Sequence, residues 1–320
     1  MKLKLKRAFL ALLVLALGTR AVSFGAALSV AQQTTQQTRE RRSHPAPTTT
    51  TLLPVTFREV QGQGLIVRIW INSVGPFNFA IDTGAGAMLL SPQVAAEAKA
   101  TVKAGRRSSI AGLSGINTSA QEASIKTLAI GESDNSLPAK GTVLITNGLP
   151  RGVDGVLDPT EAFAPFGFVI DIPRHEFSVF DPRTAPLRVD DQPTDGAVVS
   201  WLREAHSQRP FVQLDNGDRA LLDTGSNFGL AIKARDSARA QTDEYSVRDV
   251  GGGRVSARRA RPTTIAIGAL TLRNIPTDVI SGAEADAPVL LGLNALRPFR
   301  LRFDPVHHLI EIVPGASERR

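Results

Sequence analysis

Two stretches of this sequence share one plan. Residues 80–90 read AIDTGAGAMLL and residues 221–232 read LLDTGSNFGLAI, so Asp82 and Asp223 each follow apolar residues and precede a Thr-Gly pair. A carboxylate stranded among apolar side chains is costly unless something compensates it. Two such sites in one chain can compensate each other by sharing a proton, because like charges a few ångströms apart do not both ionise comfortably. One carboxylate is then a general base for a water held between the pair, and the other gives a proton or hydrogen bond to a carbonyl. Thr83 and Thr224 supply hydroxyls for hydrogen bonds to the opposing loop. Gly84 and Gly225 allow a close backbone approach that a side chain would block. Ala85 and Ser226 come next, and they differ: a serine hydroxyl can bond its neighbouring carboxylate and favour ionisation, whereas alanine cannot. Asp223 is therefore expected to be the more readily charged member.

The elements that must position these loops read as strands. Leu65, Val67, Ile69 and Ile71 recur at period two, NSVGP is a turn, and FNFAID returns as the next strand. FVQL, DNGD and RALLD give strand, Asn-Gly turn and strand. Helical stretches are few; SPQVAAEA, with Ser91 as N-cap and Pro92 at the first helical position, is the best of them. The halves repeat. IDTGA, IAGLSG, IKTLAIG, VDGVLD and FGFVIDIPRHEFSVF in the first answer to LLDTGS, VGGGRV, TTIAIG, VLLGLN and FRLRFDPVHHLIEI in the second. Phe166 with Phe299 and Asp171 with Asp304 are each 133 positions apart. The sequence thus divides into all-β lobes at 52–182 and 195–314, joined by a Pro- and Asp-rich linker at 183–194 and followed by a tail at 315–320.

Two Asp-Thr-Gly loops inside repeated lobes resemble those of the aspartic peptidases of the pepsin and retropepsin clan. The stretch INSVGPFNFAIDTGA is similar to bacterial retropepsin-like members, and the likeness covers about 52–314. The resemblance implies a bilobal acid-protease fold of two pseudo-twofold-related β-barrel lobes. It also implies a polypeptide substrate extended in the cleft under β-hairpin flaps, and peptide-bond hydrolysis without metal, cofactor or covalent intermediate. Both halves lie in one chain, the pepsin arrangement, so a monomer is expected. Flap candidates are 111–115, with Gly112 and Gly115, and Gly251, Gly252 and Gly253, whose glycines would permit opening and closing. The flap tyrosine of pepsin-like enzymes has no counterpart, since the single tyrosine, Tyr245, lies in the second half. Asp158 of VDGVLD stands where VLLGLN keeps Gly292. With Pro159 and Glu161 it reads as N-cap, first-position proline and capping-box acid of a short helix, rather than as a third catalytic acid.

A rival of another class keeps the bilobal cleft to bind or assemble peptides without turnover; Asp158 and the missing tyrosine speak for it, the two aspartates against it. A glycosidase would need carboxyls roughly 5 Å or more apart and sugar-stacking aromatics, and aromatics make up only 5% of the chain. His307 and His308 fall in a turn with no metal-ligand spacing around them, and His206 with Ser207 lacks a triad signature. Arg258, Arg259 and Arg261 read as a solvated face on the second flap; if they line the cleft, they favour acidic residues in substrates. Trp70 and Trp201 read as core or lobe-interface anchors.

The net charge of +7 does not indicate a nucleic-acid partner. Residues 1–51 hold eight basic residues and one acid; removing these from 37 basic and 30 acidic leaves 29 of each in the body. MKLKLKRAFLALLVLALG has the basic start and short apolar run of a secretory signal peptide, taken as 1–31, followed by a polar disordered linker at 32–51. The expected location is periplasmic or secreted, with membrane tethering if the leader is retained. No cysteine is present, so neither disulfides nor thiolate metal sites enter.

Overall fold

A computed structural model describes residues 52–139, 141–204, 207–233, 240–284 and 287–315, without the side chains of 240–243. The leader, the linker at 32–51, His206 and tail residues 316–320 lie outside the described residues. The described chain is all-β, with twenty-six strands and three short helices. None of those helices is long and apolar enough to cross a membrane.

The period-two residues lie on the strand Gly64–Ile71, where only Arg68 is exposed. Leu65, Val67, Ile69 and Ile71 face the main core, while Ile66 joins Ala80 and Val153 in a small cluster on the other side. The chain reverses at Asn72 and Ser73, both at positive φ (51° and 67°) as a tight two-residue hairpin turn requires. The next strand therefore starts at Val74, inside the stretch read as a turn, and runs to Ile81.

A three-strand unit recurs in each half and ends on an aspartate. Val74–Ile81 lies between Gly64–Ile71 and, in parallel, Gly155–Leu157, with Ile81 opposite Leu157. Arg219–Asp223 lies between Ser207–Gln213 and, in parallel, Val289–Gly292, with Leu222 opposite Leu291. The helix Pro92–Glu97 starts as expected, the Ser91 hydroxyl accepting the Val94 N–H at 3.2 Å.

A six-stranded sheet takes three strands from each half. Val55–Thr56, Glu176–Phe180 and Gly167–Asp171 come from the first; Phe299–Asp304, Leu309–Pro314 and Ala197–Ser200 from the second. At its centre Gly167–Asp171 and Phe299–Asp304 run antiparallel, with Val169 opposite Arg302, its own counterpart 133 positions on. The local twofold passes between those two residues. Phe168 stacks on Phe303 at 4.6 Å, and Trp201 meets Phe303 edge-on at 6.0 Å. Core side chains from both halves form one continuous cluster, and the described residues make up one compact unit. The 183–194 segment is fastened to this sheet, the Leu187 N–H donating to the buried Asp304 carboxylate at 2.9 Å.

Candidate active site

The two aspartate loops meet where the three-strand units face each other. The Asp82 N–H donates to the Leu157 carbonyl at 3.0 Å, tying its loop to the parallel neighbour. Asp82 Oδ1 accepts the Gly84 N–H at 2.8 Å and Asp223 Oδ1 accepts the Gly225 N–H at 3.0 Å. The two carboxyl groups are close enough to act on each other's ionisation. Each glycine packs on the opposite carboxyl. A Cβ at Gly84 would stand 2.7 Å from Asp223 Cγ, and one at Gly225 would stand 2.2 Å from Asp82 Cγ, so any side chain at either position would push the pair apart.

Thr83 and Thr224, both fully buried, cross-link the loops beneath the carboxyls. Thr83 Oγ1 accepts the Thr224 N–H at 3.2 Å and donates to the Leu222 carbonyl at 2.6 Å. Thr224 Oγ1 accepts the Thr83 N–H at 3.2 Å and donates to the Ile81 carbonyl at 3.0 Å. Each hydroxyl both donates and accepts, and every bond crosses between halves.

Desolvation by the surrounding protein raises both carboxyls above the usual range, although each keeps some exposure toward the cleft. The Asp82 charge raises Asp223 further. Two like charges held this close in a desolvated site favour one shared proton over full ionisation. Asp223, expected from Ser226 to be the more readily charged member, is pushed toward its protonated form by burial and by Asp82. The Ser226 hydroxyl accepts the Phe228 N–H at 3.3 Å inside its own loop, and it is the Ser226 main chain that bonds Asp223.

Residues 67–157 match the family model described as aspartyl protease. This stretch is therefore similar to an aspartyl protease of the retropepsin-like type. The match takes in the Asp82 loop and the first hairpin and ends one residue before Asp158. No curated protein matches the chain. That similarity supports a peptidase-type function.

Asp158 caps the helix Pro159–Ala162, as its local sequence implies. Its Oδ1 accepts from the N–H and the hydroxyl of Thr160, at 2.8 and 2.7 Å. The sequence did not disclose its surroundings. Asp158 is wholly buried, its Oδ2 has no hydrogen-bond partner, and burial followed by the Asp82 and Glu161 charges pushes it up to about 7.

The flap candidates lie at the tips of two long hairpins, one in each half. Residues 112–116 join Thr101–Ala111 to Asn117–Ser124, and 249–253 join Ala240–Arg248 to Arg254–Ala260. The tips interlock through a residue the sequence reading passed over, Asp249. Its Oδ2 accepts the Ser114 N–H at 2.8 Å and its Oδ1 accepts the Gly253 N–H at 2.9 Å. Thr118 Oγ1 donates to the Gly251 carbonyl at 2.5 Å. A Cβ at Gly112 would stand 2.1 Å from Asp249 Cγ. Each tip also reaches across to the other half. Leu113 packs with Phe211, Leu221, Phe228 and Ala257, while Val250 joins the cluster of Leu89, Ile110 and Leu144 that includes Ala85 and Ala87. The run DVGGG, an Asp before glycines, was the available signal for a side chain closing onto its own turn.

Tyr245 stands mid-hairpin opposite Ala257 and donates to Asp278 at 2.8 Å. Arg259 pairs with the same oxygen at 3.1 Å, and Arg258 with Glu244 at 2.8 Å. These two arginines are thus held within the second hairpin and its sheet neighbour, while Arg261 is exposed. His307 is bonded to Asp304 and His308 to Arg203. Among the described residues no group of three or more His, Asp or Glu is placed to hold a metal ion.

Proposed function

We propose that this chain is an aspartic endopeptidase that hydrolyses peptide bonds with a water activated between Asp82 and Asp223. One observation carries the reading: two carboxyls from opposite halves are brought together, each against the other loop's glycine, on a frame cross-linked by Thr83 and Thr224. Asp82, the charged member, takes a proton from the water as its oxygen attacks the carbonyl carbon. Asp223 gives its proton to the carbonyl oxygen, yielding a neutral gem-diol. Transfer of a proton to the amide nitrogen then lets the C–N bond break and returns one proton to the dyad. The substrate is a polypeptide lying beneath the two hairpin tips. Both carboxyls and both threonines come from one chain, so the active species is a monomer, exported by the leader to the periplasm or the medium.

The test is hydrolysis of a denatured protein from about pH 3 to about pH 7, with Asp82→Asn and Asp223→Asn alongside. Each variant is expected to lose activity by about a thousandfold or more, because the carboxyls act as a unit. Activity surviving in either, with contaminating proteases excluded, defeats the mechanism. Tight peptide binding by the wild type with no hydrolysis would favour a binding protein instead.

A further inference from the structure

The two halves differ at one buried position beside the dyad. In the second half Gly292 ends the parallel strand, and a Cβ there would stand 2.5 Å from the Phe228 carbonyl oxygen and 2.8 Å from that of Ser226. The main chain leaves no room for a side chain. In the first half the equivalent place holds Asp158, and the facing loop is reduced to Ala85, Gly86 and Ala87, where the second half has Ser226, Asn227 and Phe228. Asp158 directly follows Leu157, whose carbonyl binds the Asp82 N–H.

Capping the helix does not require a carboxyl. Ser91 caps the helix Pro92–Glu97 with a hydroxyl, and the helix Leu293–Leu296 has no side-chain cap. At Asp158 one oxygen does all the capping, and the other is buried without a partner. A buried, unmatched carboxyl oxygen carries a free-energy cost that a serine or threonine cap would avoid. The charges acting on Asp158 are both acidic: Asp82 at the end of its strand and Glu161 on the short helix. The strand Ser207–Gln213 packs against that helix and contributes Arg209, which is paired with Glu204 at 2.8 Å.

We propose that Asp158 is a positioning acid of the dyad, a third carboxyl whose loss of a proton makes Asp82 and Asp223 hold their shared proton more tightly. The inference rests on the dyad reading above. The coupling is reciprocal: since the Asp82 charge makes Asp158 hold its proton, an Asp158 charge must make the dyad hold its own. Burial and those neighbouring charges set the Asp158 transition at about 7. Once Asp158 ionises, its added negative charge keeps the dyad singly protonated to higher pH. The competent form therefore persists further on the alkaline side than two carboxyls alone would allow.

The experiment is the pH profile of kcat/KM on a denatured protein for the full chain, compared with Asp158→Asn and Asp158→Ser. Both variants keep an acceptor for Thr160 and remove the charge; the serine variant serves if the amide does not fold. The alkaline limb is expected to move to lower pH by about half a unit or more in either variant. A limb that stays in place overturns the proposal and leaves Asp158 a cap. In parallel, the dyad carboxyl carbons are titrated by carbon-13 NMR, and their upper transition should move the same way. If the wild type hydrolyses nothing, the endopeptidase reading fails and the titration alone decides: a downward shift upholds the role of Asp158, and no shift rejects it.

Discussion

The spacing of the dyad is fixed by two hydroxyls. Thr83 and Thr224 are fully buried and bond only across the interface, so neither has an alternative partner in water. Thr83→Val keeps the shape but strands the Leu222 carbonyl and the Thr224 N–H, a loss of about 1–3 kcal/mol for buried groups left unpaired. We expect a lower denaturation midpoint and a marked fall in hydrolysis, both recovered by Thr83→Ser; a valine variant as stable and active as wild type would refute the framing role. These residues were legible because each side of the interface repeats the same few letters, and a repeat folded on a twofold must place its copies face to face. Ser226 was legible only in part: its hydroxyl can accept one bond and donate another, and the sequence does not say that the loop brings the Phe228 N–H to it. Asp158 was half legible: an N-cap is a short-range pattern, whereas its nearness to Asp82 depends on the parallel pairing of Leu157 with Ile81, 76 positions away.

At the scale of elements, the hairpin tips form a clasp rather than two separate lids. Glycines marked their positions, but the fastening is made by Asp249 on the N–H of Ser114, 135 residues away, a pairing that no local pattern encodes. The glycines matter here mainly for contact: at Gly112 and Gly251 a Cβ would meet atoms of the opposite tip at 2.1 and 2.3 Å. Hydrogen bonds to a charged acceptor contribute about 1.5–3 kcal/mol each. Asp249→Ala should therefore speed hydrogen exchange at the Ser114 and Gly253 amides by roughly tenfold to a hundredfold, while amides in the shared six-stranded sheet keep their rates. Exchange at Ser114 unchanged by the substitution would mean that Leu113 and Val250, each packed on the far half, hold the tips without it.

On the scale of the whole molecule, the two halves are legible as a repeat but not as separable bodies. Period-two patterns mark strands without saying which sheet receives them. Here three strands from each half enter one sheet, because the phenylalanines of the closing strands bury each other: Phe168 on Phe303 across the twofold. The Pro-rich 183–194 segment therefore should not be what holds the halves together. Val189 is 58% exposed, and a protease site introduced around Val189–Asp191 offers a clean cut. After the cut, the pairing of Gly167–Asp171 with Phe299–Asp304, the threonine cross-links and the crossed hairpin tips all remain. The nicked protein should elute as a single species at the mass of the intact chain and keep most of its hydrolytic activity, independent of concentration well above the dissociation constant of the pieces. Each of those contacts joins residues that the cut leaves on different fragments. Elution as two fragments would show that the covalent link, and not the shared sheet, brings Asp82 to Asp223.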